Sequence, residues 1–263
     1  MMSANLTKSI YHDLVVHELQ HWKLKMSRPP NFWNRTTKKV QKKVNNIIPE
    51  KVHKVITKAI KEITRAVIFG STFTTKKRNS KKSIEEIENK VKERINFYSS
   101  SAAVEGAATG FGGFLLGLAD FPLWLTLKMK MLFEIASHYG YDTKDYKERL
   151  YILHIFQLTF SSQQHRNEVF TTMDDWQVKK EHLPDDFNAF DWRTFQLEYR
   201  DYIDIAKLLQ LLPGVGAIAG ALVNHKLTNK LGKTAMNAYR MRDERFREVK
   251  LLEINNTLLL NEK

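Results

Sequence analysis

Apolar residues recur three and four positions apart along almost the whole chain, and no run of strand-like alternation interrupts them. The pattern predicts an all-α protein. Tyr11, Val15, Leu19, Trp22 and Met26 line one face of a first helix, which Pro29-Pro30 ends. Val40, Val44 and Ile47 mark a short second helix stopped by Pro49. Val52, Val55, Ile56, Ala59, Ile60, Ile63 and Val67 form a long stripe, with Lys54, Lys58, Lys61 and Arg65 on the opposite side. A loop rich in Lys and Thr follows over 70–82. Ser83 and Glu86 then make a capping box ahead of Ile84, Ile87, Val91 and Ile95.

Two glycine-rich apolar stretches, Ala102 to Leu127 and Leu208 to Val223, stand out beyond this point. In the first, the helix ends near Asp120, because Pro122 suits the first turn of a new helix and not a helix interior. The new helix runs through Leu127, Met131 and Ile135 to Gly140, which caps it. Residues 144–161 read as helical. The segment 162–187 is polar, contains Pro184, and yields no assigned element. A helix over 188–212 is stopped by Pro213-Gly214, and a last helix runs from Val215 into the 240s. With no internal repeat and no low-complexity linker, the expected organisation is a single multi-helix domain around two glycine-rich apolar helices. A basic N-terminal helical region, 1–98, continues into a helical core over 99–263.

Gly106, Gly110, Gly113 and Gly117 are four, three and four residues apart, so they share one helix face. Each weakens a helix by about 0.8–1 kcal/mol relative to alanine, so gathering them on one stripe points to close approach of another backbone. Gly216 and Gly220 repeat the device on a shorter face, and the two faces are expected to pack on each other. Neither stretch suits a membrane span. The uncharged run 106–119 is about 21 Å long as a helix, against a hydrocarbon core of about 30 Å. Extending it brings in Asp120, and the second stretch contains Gln210 and Pro213.

The charge distribution points either to an anionic partner or to solubility with contact between a basic and an acidic region. The 263 residues carry a net +13, yet residues 23–94 alone hold 21 Lys/Arg against 6 Asp/Glu. Segment 174–204 is acidic, with 9 acids against 4 bases. Lys38, Lys39, Lys42, Lys43, Lys54, Lys58, Lys61 and Arg65 are the candidate contacts to an anionic membrane surface. Nucleic acid would use the same charges, but no helix-turn-helix, RNA-binding or zinc-finger pattern accompanies them, so it is the weaker partner. The chain has no cysteine, which excludes disulfides and thiolate metal sites and fits a reducing compartment. Its N-terminus reads as an amphipathic helix without a secretory signal, so a cytoplasmic protein is expected.

The one enzymatic pattern is His17-Glu18-Leu19-Gln20-His21, which matches the H-E-x-x-H of zinc peptidases. A helical wheel turns His17 and His21 about 120–160° away from the buried face, toward solvent. No other histidine sits in a third-ligand motif, so a zinc-dependent hydrolase stands only as an alternative. Glu105 and Asp120 are about 22 Å apart on a straight helix and do not form a carboxylate pair. They suit a helix first turn and a helix cap. Thr109-Gly110-Phe111-Gly112-Gly113 is not a dinucleotide loop, a P-loop is absent, and no cofactor is expected.

Taken together, these blocks resemble the EcsC family over most of the chain. Ala103-Val104-Glu105-Gly106-Ala107-Ala108-Thr109-Gly110 with Gly112-Gly113 is similar to its glycine-rich core. Leu118-Ala119-Asp120-Phe121-Pro122-Leu123 resembles its central motif, and Ile135-Ala136 with Tyr139-Gly140-Tyr141-Asp142 the block that follows. Leu212-Pro213-Gly214-Val215-Gly216-Ala217, Asn224 and Tyr239-Arg240-Met241-Arg242 continue the likeness, and Glu18-Leu19 with Trp22 resembles an N-terminal E-L-x-x-W pattern. The resemblance implies a bacterial protein whose relatives are encoded with an ABC-transporter ATPase and permease linked to exoprotein secretion. It implies an accessory role near the cytoplasmic membrane. With no catalytic site in the sequence, the expected protein is non-enzymatic and peripheral on the inner face of the cell membrane, with ABC-transporter subunits as candidate partners.

Overall fold

The computed structural model describes residues 2–28, 50–70, 73, 75, 82–110, 121–161, 163–189 and 217–246. Among them the chain is all-α, with no β-strand. The helices are α1 (Met2–Ser27), α2 (Glu50–Phe69), α3 (Ile84–Gly110), α4 (Phe121–His138), α5 (Tyr146–Phe160), α6 (Gln163–Asp174), α7 (Trp176–His182) and α8 (Ala217–Arg242). Short 3-10 turns at Phe187–Ala189 and Glu244–Phe246 complete the set.

Local signals place most of these boundaries. Ser83 and Glu86 close the expected capping box: the Ser83 N–H donates to Glu86 Oε2 at 2.9 Å, and the Glu86 N–H returns to Ser83 Oγ at 3.3 Å. The helix they start runs on without a break to Gly110. Gly140 ends α4 as expected, at φ 87°. Its N–H donates to Ser137 O and that of Tyr141 to Ala136 O, the two bonds of a Schellman cap. Asp145 caps α5 by accepting from the Lys147 N–H at 2.9 Å.

The polar segment 162–187, which the hydrophobic pattern left without an element, folds as α6 and α7. Val169, Phe170, Met173 and Trp176 within it are buried while Val178 is exposed, and this narrow stripe suffices to dock it. Val55 is a second correction: it was expected on the buried stripe of α2 and is 38% exposed. Ile56, Ala59, Ile60, Ile63 and Val67 are buried as the pattern requires.

The central pairing is α3 against α8, with α4 packed on both. Helix α5 lies against α8 and α2, and α1 crosses α6 and α8. One continuous core joins residues from Val15 to Phe246. The α3–α8 approach is close at Gly232, where an added Cβ would stand 2.5 Å from Ile95 Cγ1.

The short helix expected around Val40, Val44 and Ile47, with Lys38, Lys39, Lys42 and Lys43, lies outside the described residues. So do Gly113, Gly117, Asp120, most of the helix expected over 188–212, Pro213, Gly214 and Gly216. Glu105, Gly106 and Gly110 fall within α3 and Gly220 within α8, but the packing expected of their faces is likewise outside the described residues. Glu105, expected in a helix first turn, instead lies near the C-terminal end of α3, because the helix begun at Ser83 runs on through it. No helix among the described residues is long and apolar enough to cross a membrane.

Candidate functional site

The C-terminal end of α8 carries Arg240 and Arg242. Two residues on a helix are about 200° apart, so their side chains leave on opposite sides. Arg240 points toward α1 and α3, and Arg242 toward α5. Both are buried, at 2% and 8% exposure, and each meets a buried glutamate.

Arg240 makes a two-pronged pair with Glu88 of α3: Nε donates to Oε1 at 2.7 Å and Nη2 to Oε2 at 2.6 Å. Its Nη1 donates to Glu18 Oε2 of α1 at 2.8 Å and to Asn237 Oδ1 at 2.9 Å. Glu88 also accepts from the Tyr11 hydroxyl at 2.6 Å and the Tyr139 hydroxyl at 3.2 Å. Burial opposes the Arg240 charge, but the Glu88 bond and charge outweigh it and hold the guanidinium above its ordinary pKa. Tyr139 is pushed well above the usual phenol range, first by burial and then by the Glu88 charge.

Arg242 is held differently. Its Nη1 reaches both Glu148 oxygens of α5, at 3.0 and 2.9 Å. Its guanidinium carbon lies 4.0 Å from the Tyr141 ring centre and 4.2 Å from that of Tyr151, so two aromatic faces replace hydrogen-bond partners. The Tyr239 hydroxyl donates to Glu148 Oε1 at 2.9 Å, while its ring stacks on Tyr139 at 5.4 Å. Tyr239 thereby links the two pairs. Tyr141 is pushed up to about 12, by burial against the opposing Arg242 charge.

The blocks Tyr139-Gly140-Tyr141-Asp142 and Tyr239-Arg240-Met241-Arg242 thus meet in one network. The Gly140 turn sets both Tyr139 and Tyr141 against the Tyr239 ring, while Asp142 accepts from the Lys144 N–H at 2.9 Å and fixes the loop beyond. Glu18, Leu19 and Trp22 join from α1: Glu18 on Arg240, Leu19 buried, and Trp22 edge-on to Phe170 at 5.7 Å. Lys23 and Asp174 at 3.0 Å pin the same helix to α6. Asn224 serves a separate contact, accepting from Trp124 Nε1 at 2.6 Å, and Pro122 sits in the first turn of α4. Glu88 and Glu148 were missed by sequence reasoning; an acid inside the apolar stripe Ile84, Ile87, Val91 was the available signal.

Chemically the arrangement is closed. Glu88 is fully buried and accepts from three of the described residues, and Glu148 is 3% exposed, so neither carboxylate faces solvent. His17 and His21 are exposed on α1, and the glutamate between them is committed to Arg240. Among the described residues no group of three or more His, Asp or Glu side chains is placed to hold a metal ion. Lys54, Lys58, Lys61 and Arg65 are all exposed along α2.

Comparison with known proteins bears on these same blocks. Protein EcsC of Bacillus subtilis (strain 168) is 44% identical over 232 residues, covering 88% of this chain and 95% of its own length. The uncharacterized protein YdbA of the same organism is 29% identical over 249 residues, covering 86% of this chain and 90% of its own. No solved structure matches. The model of the EcsC protein family matches residues 13–243, a span that opens in α1 and closes just past Arg242, so the chain belongs to the EcsC protein family.

Proposed function

We propose that this protein is a non-enzymatic accessory factor that binds the anionic inner surface of the cell membrane and serves an ABC transporter there. The observation that carries the membrane part is the outer face of α2. Lys54, Lys58, Lys61 and Arg65 repeat at helical spacing and are all exposed, while the opposite face is buried in the core. Phe69 follows Arg65 by four residues on the same side and is 53% exposed, with Val55 flanking the stripe. Bases beside a few apolar side chains are what an interfacial helix needs. Each base contributes about 1 kcal/mol near an anionic surface, which favours reversible attachment. The transporter part rests on kinship.

Flotation of the full chain with vesicles of phosphatidylglycerol and phosphatidylcholine tests the reading. Binding should require the anionic lipid, weaken with salt, and fall at least tenfold when Lys54, Lys58, Lys61 and Arg65 are changed to Glu. Equal binding to purely zwitterionic vesicles, or no binding to either, overturns it. Preferential loss of vesicle binding to added DNA would move the partner to nucleic acid.

A further inference from the structure

Helix α1 has a second face that the core does not use. Opposite Val15 and Leu19, the residues Ile10, Leu14, His17, His21 and Leu24 follow one another at intervals of four, three, four and three. Ile10 is 53% exposed, Leu14 61% and Leu24 59%, and both histidines are exposed. Alternating steps of three and four are the seam of a two-helix coiled coil. His12 is not part of it: its ring stacks on Phe246 and its Nε2 contacts Arg245 O at 2.9 Å. The seam helix is held firmly from behind by the Glu18–Arg240, Lys23–Asp174 and Trp22–Phe170 contacts.

We infer that α1 pairs antiparallel with α1 of a second copy of this chain, and that His17 and His21 of both copies together ligate one zinc ion. The seam is self-complementary under a two-fold axis passing between His17 and His21. Leu14 then faces Leu24 of the second copy and His17 faces its His21, each contact occurring twice. Three apolar side chains per copy cover far less than the ~800 Å² per partner of a stable interface. Apolar contact alone therefore leaves the chain monomeric, and the metal completes the association. Two imidazoles one turn apart supply half of a tetrahedral set, and the second copy supplies the rest at the usual Zn–N length of about 2.0–2.1 Å. Four imidazoles leave no position for an activated water, so the ion holds two chains together and does no hydrolysis.

The test is the molar mass of the full chain by light scattering, at tens of micromolar, with zinc chloride and then with a chelator. The expected result is a doubling of mass at one zinc per two chains, reversed by the chelator. Replacing both His17→Ala and His21→Ala should abolish the doubling and weaken zinc binding at least tenfold. Leu14→Glu should abolish the doubling while circular dichroism stays unchanged, since the position is on the surface. A mass that zinc does not change, or a doubling that survives in the double-histidine variant, overturns the proposal.

Discussion

Arg240 and Arg242 sit two residues apart on one helix, both buried and both opposite a buried glutamate, yet their charges are stabilised by different physics. Arg240 has hydrogen-bond acceptors for its Nε and both terminal nitrogens, from Glu88, Glu18 and Asn237. Arg242 reaches Glu148 through Nη1 alone; its Nε has no hydrogen-bond partner among the described residues, and tyrosine faces at 4.0 and 4.2 Å cover the plane instead. The first pair joins three elements far apart in sequence, while the second fastens α8 to α5. The contrast predicts that Arg240 is sensitive to loss of an acceptor and Arg242 to loss of planarity.

The largest effect should come from stripping Arg240 of its main partner. Glu88→Ala leaves a guanidinium buried beside two tyrosines, and removing one member of a buried pair costs about 3–5 kcal/mol. Urea unfolding should show that loss. The double variant Glu88→Leu with Arg240→Met removes both charges and should recover most of it. A double variant no better than Glu88→Ala would mean that the network's geometry matters more than its charge balance.

How much of this could be read from the chain itself divides along the same line between local and distant causes. The Ser83–Glu86 box, the Gly140 cap and the buried face of α1 depend on residues within a turn or two of one another, and each stands where the pattern puts it. Helices α6 and α7 were not foreseen because the buried residues Val169, Phe170, Met173 and Trp176, set in a polar segment ending near Pro184, give too weak a stripe. Glu88 is 152 positions from Arg240, and nothing near either residue names the other. Gly232 was passed over for the same reason: a lone glycine in a helix looks like a minor defect until Ile95 is found against it. The motif blocks were recognisable as blocks; that Tyr139 and Tyr239 stack face to face is a tertiary fact.

His154 sharpens the contrast by showing a partly buried basic side chain that gives up its charge. Burial lowers its pKa to about 4, with the Gln157 bond opposing. The unfolded chain takes up a proton near pH 6.5 that the folded chain refuses until about 4. Stability should therefore fall as pH drops through that window, by roughly 3 kcal/mol at its lower end, and level off below it. His154→Gln should flatten that part of the profile. The arginines contribute nothing there, since both are held above their ordinary values.

Planarity is tested by Arg242→Lys, which keeps the charge and the reach to Glu148 but removes the flat surface between Tyr141 and Tyr151. A desolvated cation–π contact is worth about 2 kcal/mol, so a loss of about that size is expected in thermal or urea unfolding. Tyr141→Leu should then cost much less in the lysine background than in the parent. Equal costs in the two backgrounds would mean that Tyr141 packs against Arg242 only as an apolar surface.

The smallest effect belongs to Glu18, whose side chain is 68% exposed although its partner Arg240 is buried. An ion pair open to solvent at one end contributes roughly 0.2–1 kcal/mol, so Glu18→Gln should barely move the unfolding midpoint. Hydrogen exchange gives a sharper reading. If Glu18 is what ties α1 to the end of α8, amides near Leu19 should exchange faster in the variant while those of α5 and α8 stay unchanged. Faster exchange across all three helices would instead mean that Glu18 supports the whole Arg240 network, and that the two arginines are coupled through Tyr239 more tightly than their separate partners imply.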